Sequence, residues 1–452
     1  MKNELIVLPH DPRWDEARLA WNLAADQQPA AVALPESARD VAAIVRWARE
    51  RGLRVAPQGT GHNAIPLGAL AHTVLLKTER MRGVSIDIRK RRARVGAGVM
   101  WAEVTDAAAG HGLSALAGSS PDVGVVGYTL GGGVSWLGRR YGLAANGVTA
   151  VELVNADGGL IRADADQHAD LFWALRGGGG SFGVVTALEF ELYPVTDLYA
   201  GVLFFPLERG AEVLRAWRRW VDYVPDEVSS VGRFLQLPPI PEIPEPLRGG
   251  SFAIIEAASL LGKDPTDELL RPLRELGPQL DTIATIPVRE LERLHMDPDH
   301  PVASFGDGMM LSDLNDAAID ALVQTAGAGS GSPLLTVEVR HAGGALARQA
   351  PGAGALASLD GKFLMFAAGM ATTPELGAAV KAHVELLHNA LAPWDSGRAY
   401  LNFAGKRQRG ERLFGDLTYR RLQAVKAAVD PDDVFRSNHP VRLPAAEVRQ
   451  AA

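Results

Sequence analysis

Three glycine-rich segments are the part of this sequence best suited to binding a small molecule. They cover 59–61, 118–133 and 177–183, all in the N-terminal half of the chain. Glycine lets successive backbone N–H groups line a concave surface that a Cβ would block, and such surfaces commonly hold phosphate. A single glycine loop is often only a tight turn. Three of them in one half of the chain favour a nucleotide cofactor.

The common nucleotide-binding patterns do not explain these segments. No G-x-G-x-x-G opens a helix after an early strand, and no G-x-x-x-x-G-K-[ST] occurs. A dinucleotide would therefore be held by another geometry. A nicotinamide-dependent reductase is the weakest alternative, because its fingerprint is missing.

The composition limits the possible classes of protein further. A chain of 452 residues with 47% apolar and 22% charged residues is typical of two or three globular domains. The net charge of −7 provides no attraction for nucleic acid or for an anionic membrane. The absence of cysteine excludes disulfides and cysteinyl cofactor links, and we expect no metal site. Because no signal peptide or membrane span is recognised, we expect a cytoplasmic protein.

A predicted helix and strand precede the first glycine segment. Ser37 is a suitable N-cap, and apolar residues recur at helical spacing after it, so 37–51 predicts an amphipathic helix. Residues 53–56 are typical of a strand, which leads into the glycine loop. Other elements of this half are strands over 74–77, 83–88, 93–98, 148–155 and 186–192, and a helix over 101–110.

From about residue 198 the pattern changes to longer helices that alternate with strands. This change predicts a second, α+β domain with an antiparallel sheet. The proline-rich tract 237–246 predicts a stiff exposed loop at the edge of a cleft. The predicted helices are 210–221, 266–276, 314–325 and 373–391, and the predicted strands are 251–260, 333–339 and 362–370. A last amphipathic helix ends at Asp430–Pro431.

The order of these motifs resembles the FAD-binding fold of the vanillyl-alcohol-oxidase (PCMH-type) superfamily, berberine-bridge-enzyme-like branch. The segments that carry the resemblance are RVAPQGTGH (54–62), SPDVGVVGYTLGGG (120–133), FWALRGGGGSFGVVT (172–186) and YLNF (400–403). The resemblance extends from about residue 28 to about 440 and is loose over 198–397.

The resemblance implies an α+β, two-domain fold and an oxidase. Residues 1–197 and 398–452 would form the FAD-binding domain, and 198–397 an antiparallel-sheet substrate domain covering the flavin. The enzyme would take a hydride from a CH–OH or CH–NH carbon of a sugar, alcohol, alkaloid or other secondary metabolite and reduce O₂ to H₂O₂. A flavin dehydrogenase with another acceptor and a redox-idle flavin-fold binding protein are the alternatives. Both a monomer and a homodimer stay open.

His62 ends the first glycine loop, where the family's histidine is attached covalently to the flavin. From the residues alone, three other histidines compete for this role, namely His72, His111 and His168. Ser120 stands where many members carry a second attaching cysteine, so the resemblance implies attachment through His62 only. Tyr128 replaces a histidine that some members place near the flavin. The implied cofactor-binding residues are Gln58, Gly59, Thr60, Gly61, His62, Asn63, Ser119, Ser120, Val123, Gly124, Gly127, Tyr128, Gly131, Gly132, Gly133, Gly183, Val185, Tyr400 and Asn402.

Tyr400 opens a Y-x-N motif, in which relatives use the tyrosine to accept the substrate's proton. A tyrosine with its ordinary pKa of about 10 is a poor base unless a cation or a hydrogen bond lowers that pKa. Arg340, His341 and Lys362 are candidate helpers, and Arg340 and Lys362 are candidate substrate residues. Glu338 shares a strand face with Arg340 and is expected to pair with it. An amine substrate needs no strong base, and Tyr400 would then be only a wall of the pocket.

Overall fold

The chain forms three β-sheets, each covered by helices. The structure is a computed structural model that describes residues 3–444. Its strands are β1 (Ile6–Val7), β2 (Ala31–Ala33), β3 (Arg54–Gln58), β4 (Thr73–Lys77), β5 (Val84–Asp87), β6 (Arg92–Gly96), β7 (Val148–Val154), β8 (Leu160–Asp164), β9 (Val184–Glu191), β10 (Asp197–Pro206), β11 (Val228–Gln236), β12 (Ser251–Ser259), β13 (Leu280–Asp281), β14 (Ala284–Pro287), β15 (Ser304–Leu311), β16 (Thr336–His341) and β17 (Phe363–Met370). Its α-helices are α1 (Trp14–Ala17), α2 (Ala38–Arg49), α3 (Trp101–Ala109), α4 (Val125–Leu130), α5 (Gly138–Tyr141), α6 (Ala169–Leu175), α7 (Gly210–Trp220), α8 (Lys263–Arg274), α9 (Asp316–Ala326), α10 (Pro374–Leu391), α11 (Gly410–Phe414) and α12 (Asp416–Val429).

The first sheet has the order β1-β2-β4-β3, with β2, β4 and β3 parallel. The helix before β3 is α2, and the Ser37 hydroxyl accepts a hydrogen bond from the Asp40 N–H at 3.2 Å. This cap satisfies one of the free N–H groups of the first turn, so the predicted helix is confirmed. The loop after β3 contains the first glycine segment.

The second sheet, β5-β6-β9-β7-β8, is antiparallel and packs against helices from both ends of the chain. Leu422 of α12 lies in the same buried core as Phe172 of α6. The buried Lys426 ammonium donates to the Ser181 carbonyl at 2.9 Å. The C-terminal helix therefore returns to the N-terminal part of the molecule.

The third sheet has eight strands in the order β13-β10-β12-β11-β16-β17-β15, with β14 also paired to β10. Every pairing is antiparallel. Val337 and Val339 of β16 pack in the core formed with α7, α9 and α10. The alternate residues of the same strand, Glu338 and Arg340, line a cavity on the other face. One face of the sheet is therefore structural, and the other is free for binding.

The α+β class and the antiparallel sheet of the middle region are confirmed. The sheet begins at Asp197 and its last strand ends at Met370, while the predicted domain boundaries stay predictions. Residues 1–2 and 445–452, which belong to the predicted first and last segments, lie outside the described residues. Among residues 3–444, no helix has both the length and the apolar character needed to cross a membrane.

Sequence reasoning missed five strands of the third sheet, β10, β11, β13, β14 and β15. The sequence of β15 is SFGDGMML, whose glycines and aspartate are typical of a turn. In the structure a Cβ at Gly306 would lie 2.6 Å from the Phe366 ring, and one at Gly308 would lie 2.8 Å from the Phe403 Cβ. These glycines make room for aromatic neighbours and do not mark a turn.

Candidate active site

A cavity of about 1160 Å³ lies between the glycine-rich loops and the third sheet. Small-molecule sites usually measure about 300–1,000 Å³, so this one can hold a dinucleotide together with part of a substrate. We call the loops 58–63 and 119–131 the cofactor floor. We call the ionic cluster on the sheet the charged roof, which consists of Arg233, Glu256, His295, Glu338 and Arg340. All the predicted cofactor residues line the cavity except Gly132 and Gly133.

The cofactor floor presents free backbone donors. Within residues 3–444, the N–H groups of Gly59 to Asn63 have no hydrogen-bond acceptor. The Gln58 side-chain nitrogen is likewise buried without a partner in the described chain. Five successive free N–H groups directly after a strand of a parallel pair, β3, form the kind of concave donor surface that binds a phosphate anion.

Two floor glycines, Gly59 and Gly127, also favour a bound cofactor. A Cβ added at either position would meet no protein atom within 4 Å, so protein packing does not require glycine there. Both residues line the cavity, and a side chain would project into space that a ligand can use. The donors and the open glycines therefore fit a dinucleotide such as FAD.

His62 lies on the cofactor floor with both ring nitrogens in hydrogen bonds. Nδ1 is 2.7 Å from the Thr60 hydroxyl, and Nε2 is 3.2 Å from Asp122 Oδ1. The Trp21 ring is stacked on the imidazole with the centroids 4.0 Å apart. The competing histidines His72, His111 and His168 do not line the cavity.

The Tyr400 hydroxyl receives three N–H donors. The backbone N–H groups of Gly133 and Val134 and the Asn402 side-chain amide each lie 3.0 Å from this oxygen. The same Asn402 amide donates to the Tyr128 carbonyl at 2.9 Å, which fixes its orientation. Burial raises the pKa of Tyr400, although the three donors act in the opposite direction. Gly133 thus acts on the site by positioning Tyr400, from outside the cavity lining.

Glycine is required at two positions beside this tyrosine. A Cβ at Gly131 would lie 1.8 Å from the Asn402 side-chain oxygen. Gly133 has a φ of +78°, and a Cβ there would lie 2.6 Å from the Tyr128 ring. The Tyr128 hydroxyl donates to the Leu116 carbonyl at 3.0 Å and so is already engaged within the protein.

The charged roof is a chain of buried ion pairs. Arg233 donates to Glu256 at 3.2 Å, and Glu256 is 2.6 Å from His295 Nδ1. His295 Nε2 contacts Glu338, which accepts from Arg340 Nε at 2.8 Å. Burial and Arg233 lower the pKa of His295, but the two glutamates overcome both effects and raise it to about 9. The roof therefore carries three cations against two carboxylates at neutral pH.

Arg340 is a roof residue with a free donor beside the cavity. Its Nη2 lies 3.3 Å from the Ser119 hydroxyl, and its guanidinium stands 5.0 Å from the centre of the Phe403 ring. Its Nη1 has no hydrogen-bond acceptor in the part of the chain that the structure describes. The expected pairing with Glu338 is present, and one edge of the guanidinium faces the cavity.

Two other candidate helpers lie away from Tyr400. Lys362 is outside the cavity lining, with 67% of its side chain exposed and Nζ 3.9 Å from Asp313. The first strand residue after it is Phe363, so Lys362 is at the outer end of β17. His341 alternates with Arg340, and its Nε2 is 3.1 Å from Arg139 Nη1. Burial, with Arg139, lowers the pKa of His341 to about 3. The structure thus separates both residues from the site.

The predicted proline-rich loop and the adjoining Leu247 line part of the cavity, mostly with apolar side chains. The lining residues of this segment are Leu237, Pro238, Ile240, Glu242, Ile243, Pro244 and Leu247. The cavity lining therefore includes an apolar surface as well as the Arg340 guanidinium.

Sequence reasoning missed several residues of the site. Glu256 carried a usable signal, because a charged residue in the middle of an apolar strand is rarely buried without a partner. Asp122 also carried one, as an acidic residue within the second glycine segment. Trp21 and His295 had no local signal, since they reach the site from loops distant in sequence.

Comparison with known proteins agrees with this geometry. Residues 29–164 match the FAD binding domain family, and residues 399–442 match the family described as berberine and berberine like. (R)-6-hydroxynicotine oxidase of Paenarthrobacter nicotinovorans is 29% identical over 463 residues, covering 96% of this chain and 95% of that protein. Glucooligosaccharide oxidase of Sarocladium strictum is 34% identical over 193 residues, which are 41% of this chain and 38% of that protein.

A solved structure shows the same fold. BBE-like 1 of Physcomitrella patens superposes with a TM-score of 0.85 at 22% identity, covering 97% of both chains. Together with the family matches, this likeness places the protein among the PCMH-type flavoproteins. The chain belongs to the berberine-bridge-enzyme-like FAD-linked oxidoreductases and is an FAD-dependent enzyme.

Proposed function

We propose that the protein is an oxidase that holds FAD on the cofactor floor and oxidises a small molecule under the charged roof. The observation that carries this proposal is the row of free N–H groups at Gly59 to Asn63 facing the cavity. The bound flavin ring would take the hydride and pass its electrons to dioxygen. The protein's own part is to bind and orient both molecules and to manage the substrate's proton.

We further propose that His62 is the single point of covalent attachment. Its ring lines the cavity and ends the loop that carries the free N–H groups. Ser120, which also lines the cavity, has no thiol and cannot form a second link. Acid-precipitated wild-type protein should therefore stay yellow, and His62→Ala should release its flavin into the supernatant.

The state of Tyr400 favours a CH–NH carbon as the hydride donor. Burial raises the pKa of this phenol, so it is protonated at neutral pH and is a weak proton acceptor. A neutral amine can release a hydride with no base, since its nitrogen lone pair stabilises the cation that forms. Tyr400 would then orient the substrate and not deprotonate it.

A CH–OH donor is the second candidate, supported by the three N–H donors on the Tyr400 oxygen. A neutral phenol has only two lone pairs for them, whereas a phenolate can accept all three. This arrangement would stabilise a phenolate that removes the proton of an alcohol substrate.

The rate of anaerobic flavin reduction in the Tyr400→Phe variant distinguishes a CH–NH donor from a CH–OH donor. The measurement is the rate of flavin bleaching in a stopped-flow instrument with cyclic amines, alcohols and sugars as substrates. For a CH–NH substrate we expect a loss below about tenfold. For a CH–OH substrate the loss of a general base should be about 10²–10⁴-fold.

Peroxide release tests the oxidase assignment. An aerobic mixture of the enzyme and a substrate that bleaches its flavin should form one H₂O₂ for each product. Bleaching without peroxide would identify a dehydrogenase with another acceptor. A protein whose flavin is never bleached by any of these substrate classes would be a redox-idle binder.

A further inference from the structure

Asp122 connects the residues around His62 into one cluster. Its Oδ1 is 3.2 Å from His62 Nε2 and accepts from the Ser120 hydroxyl at 3.0 Å. Its Oδ2 accepts from the Trp21 indole N–H, and the Trp21 ring is stacked on the imidazole. Burial raises the pKa of Asp122, but the hydrogen bonds from His62, Trp21 and Ser120 overcome it, so the carboxyl is ionised. A charged carboxylate therefore lies against one nitrogen of the imidazole.

This contact decides which ring nitrogen carries the hydrogen. A carboxylate only accepts hydrogen bonds, so the nitrogen facing Asp122 is the one that bears the N–H. The opposite nitrogen, Nδ1, then has a free lone pair, and its neighbour is the Thr60 hydroxyl at 2.7 Å. A hydroxyl can rotate away, whereas the ionised carboxylate is held by three donors. Nδ1 is thus the nitrogen left available for bond formation.

We propose that Asp122 is the positioning residue for covalent attachment of the flavin, because its contact with Nε2 leaves His62 Nδ1 free to react. The proposal rests on the histidyl link given under the proposed function. The carboxylate holds the reactive tautomer and stabilises the imidazolium that forms when Nδ1 is alkylated, until the Nε2 proton is released to solvent. This is the role that a carboxylate has beside a catalytic histidine.

The overall step balances with dioxygen as the oxidant. A C–H bond of a methyl group on the flavin ring and the N–H bond of the imidazole break, and a C–N bond forms. Two protons are released, and the electron pair passes into the flavin ring itself. Dioxygen then removes that pair and takes up two protons as H₂O₂, which regenerates the oxidised cofactor.

The test measures the rate of attachment separately from flavin binding. Purified protein that still holds some loosely bound flavin is incubated aerobically with added FAD. Acid-stable flavin is measured over time, and total bound flavin is measured in parallel. We expect Asp122→Asn to attach flavin about tenfold more slowly or worse, with Asp122→Glu between it and wild type. Asp157→Asn, at an exposed ion pair with Arg49, is the matched control and should equal wild type.

Trp21→Phe separates this role from simple anchoring of the loop. It removes the indole hydrogen bond to Asp122 but keeps an aromatic ring beside His62 and keeps the His62–Asp122 contact. Attachment within about threefold of wild type is expected. A loss in Trp21→Phe as large as that in Asp122→Asn would overturn the proposal, because loop anchoring would then account for both. If Asp122→Asn is unfolded by circular dichroism, Asp122→Ser, which also removes the carboxylate, replaces it, and an unchanged rate there overturns the proposal.

The site of the bond provides a second readout. Nuclear magnetic resonance of the flavin-bearing proteolytic peptide should show the link at Nδ1, and a link at Nε2 would contradict the proposal. If Asp122→Asn attaches flavin as fast as wild type does, the proposed role of Asp122 is overturned and the proposed histidyl link still stands. Wild-type protein with no acid-stable flavin would instead contradict the proposed histidyl link.

Discussion

The cofactor floor and the charged roof present opposite kinds of binding surface. The floor uses backbone N–H groups and glycines, and the donors of Gly59 to Asn63 are left free by the fold. The roof uses side-chain charges that already satisfy one another, from Arg233 through His295 to Arg340. The floor is therefore suited to one invariant anion, while the roof is a rigid frame in which Arg340 keeps a free edge toward the cavity.

This difference indicates how the two parts would tolerate change. A substitution at the open floor glycines, Gly59 and Gly127, acts only through the space that the cofactor needs, because a Cβ there meets no protein atom within 4 Å. A substitution in the roof leaves a buried charge without its partner, which is costly for folding. Substitutions at the open floor glycines should thus weaken cofactor binding, and substitutions in the roof should lower the stability of the folded protein.

The largest expected effect is the loss of stability in Glu338→Gln. This change leaves His295 and Arg340 buried without the carboxylate between them, and breaking a buried ion pair costs about 3–5 kcal/mol. The measurement is the urea midpoint of the holoenzyme. Glu385→Gln, at the exposed pair with Lys406, should cost under about 1 kcal/mol. Equal losses in the two variants would show that the roof charges are not a structural unit.

The second largest expected effect is a fall in the free energy of unfolding as the pH rises. The folded pKa of His295, about 9, lies above its ordinary value of 6.5, so protonated His295 favours the folded state. This contribution is complete below pH 6.5 and disappears as the pH rises through 9. It amounts to roughly 3 kcal/mol, which urea unfolding of the wild type at several pH values can measure. His295→Gln should lack this slope, and an identical slope in that variant would assign it to other groups.

In the floor, Gly127→Leu should abolish tight FAD binding without unfolding the protein. A Cβ at Gly127 meets no protein atom, so the leucine would occupy only cofactor space. We expect the dissociation constant for FAD to rise at least about 100-fold. The unfolding temperature measured by circular dichroism should stay close to that of wild type. Gly127→Ala is the graded control and should lose much less. Full FAD occupancy in the leucine variant would place the cofactor elsewhere.

The smallest effects compare two cations of the third sheet. Arg340→Met removes the free guanidinium edge and should lower kcat/KM about tenfold or more for any substrate that bleaches the flavin. Lys362→Met, at the exposed end of β17, should change kcat/KM less than about twofold. Similar losses in both variants would mean that Arg340 does not contact the substrate.

Much of the floor could be predicted from the sequence because its signals are local. The helix capped by Ser37, the strand after it and the loop that ends at His62 are adjacent in the chain. The position of Tyr400 in its Y-x-N motif was equally clear. What sequence could not give is the meeting of the Tyr400 oxygen with the Gly133 amide, since the two residues are brought together only by the fold.

The roof could be predicted only in part, because it depends on strand pairing. The pairing of Glu338 with Arg340 followed from their alternation in one strand. The neighbouring Arg233 and Glu256 come from two other strands, β11 and β12, and meet only through the register of the sheet. The strand β11 was missed, so its arginine could not be assigned.

The most direct test is a crystal structure of the yellow protein with its cofactor. The account predicts density for FAD in the cavity, with the diphosphate on the N–H groups of 59–63 and the flavin ring bonded to His62. The substrate side of the ring should face the Arg340 edge of the roof. Density for the cofactor in another place, or a loop 59–63 whose N–H groups bind only solvent, would contradict it.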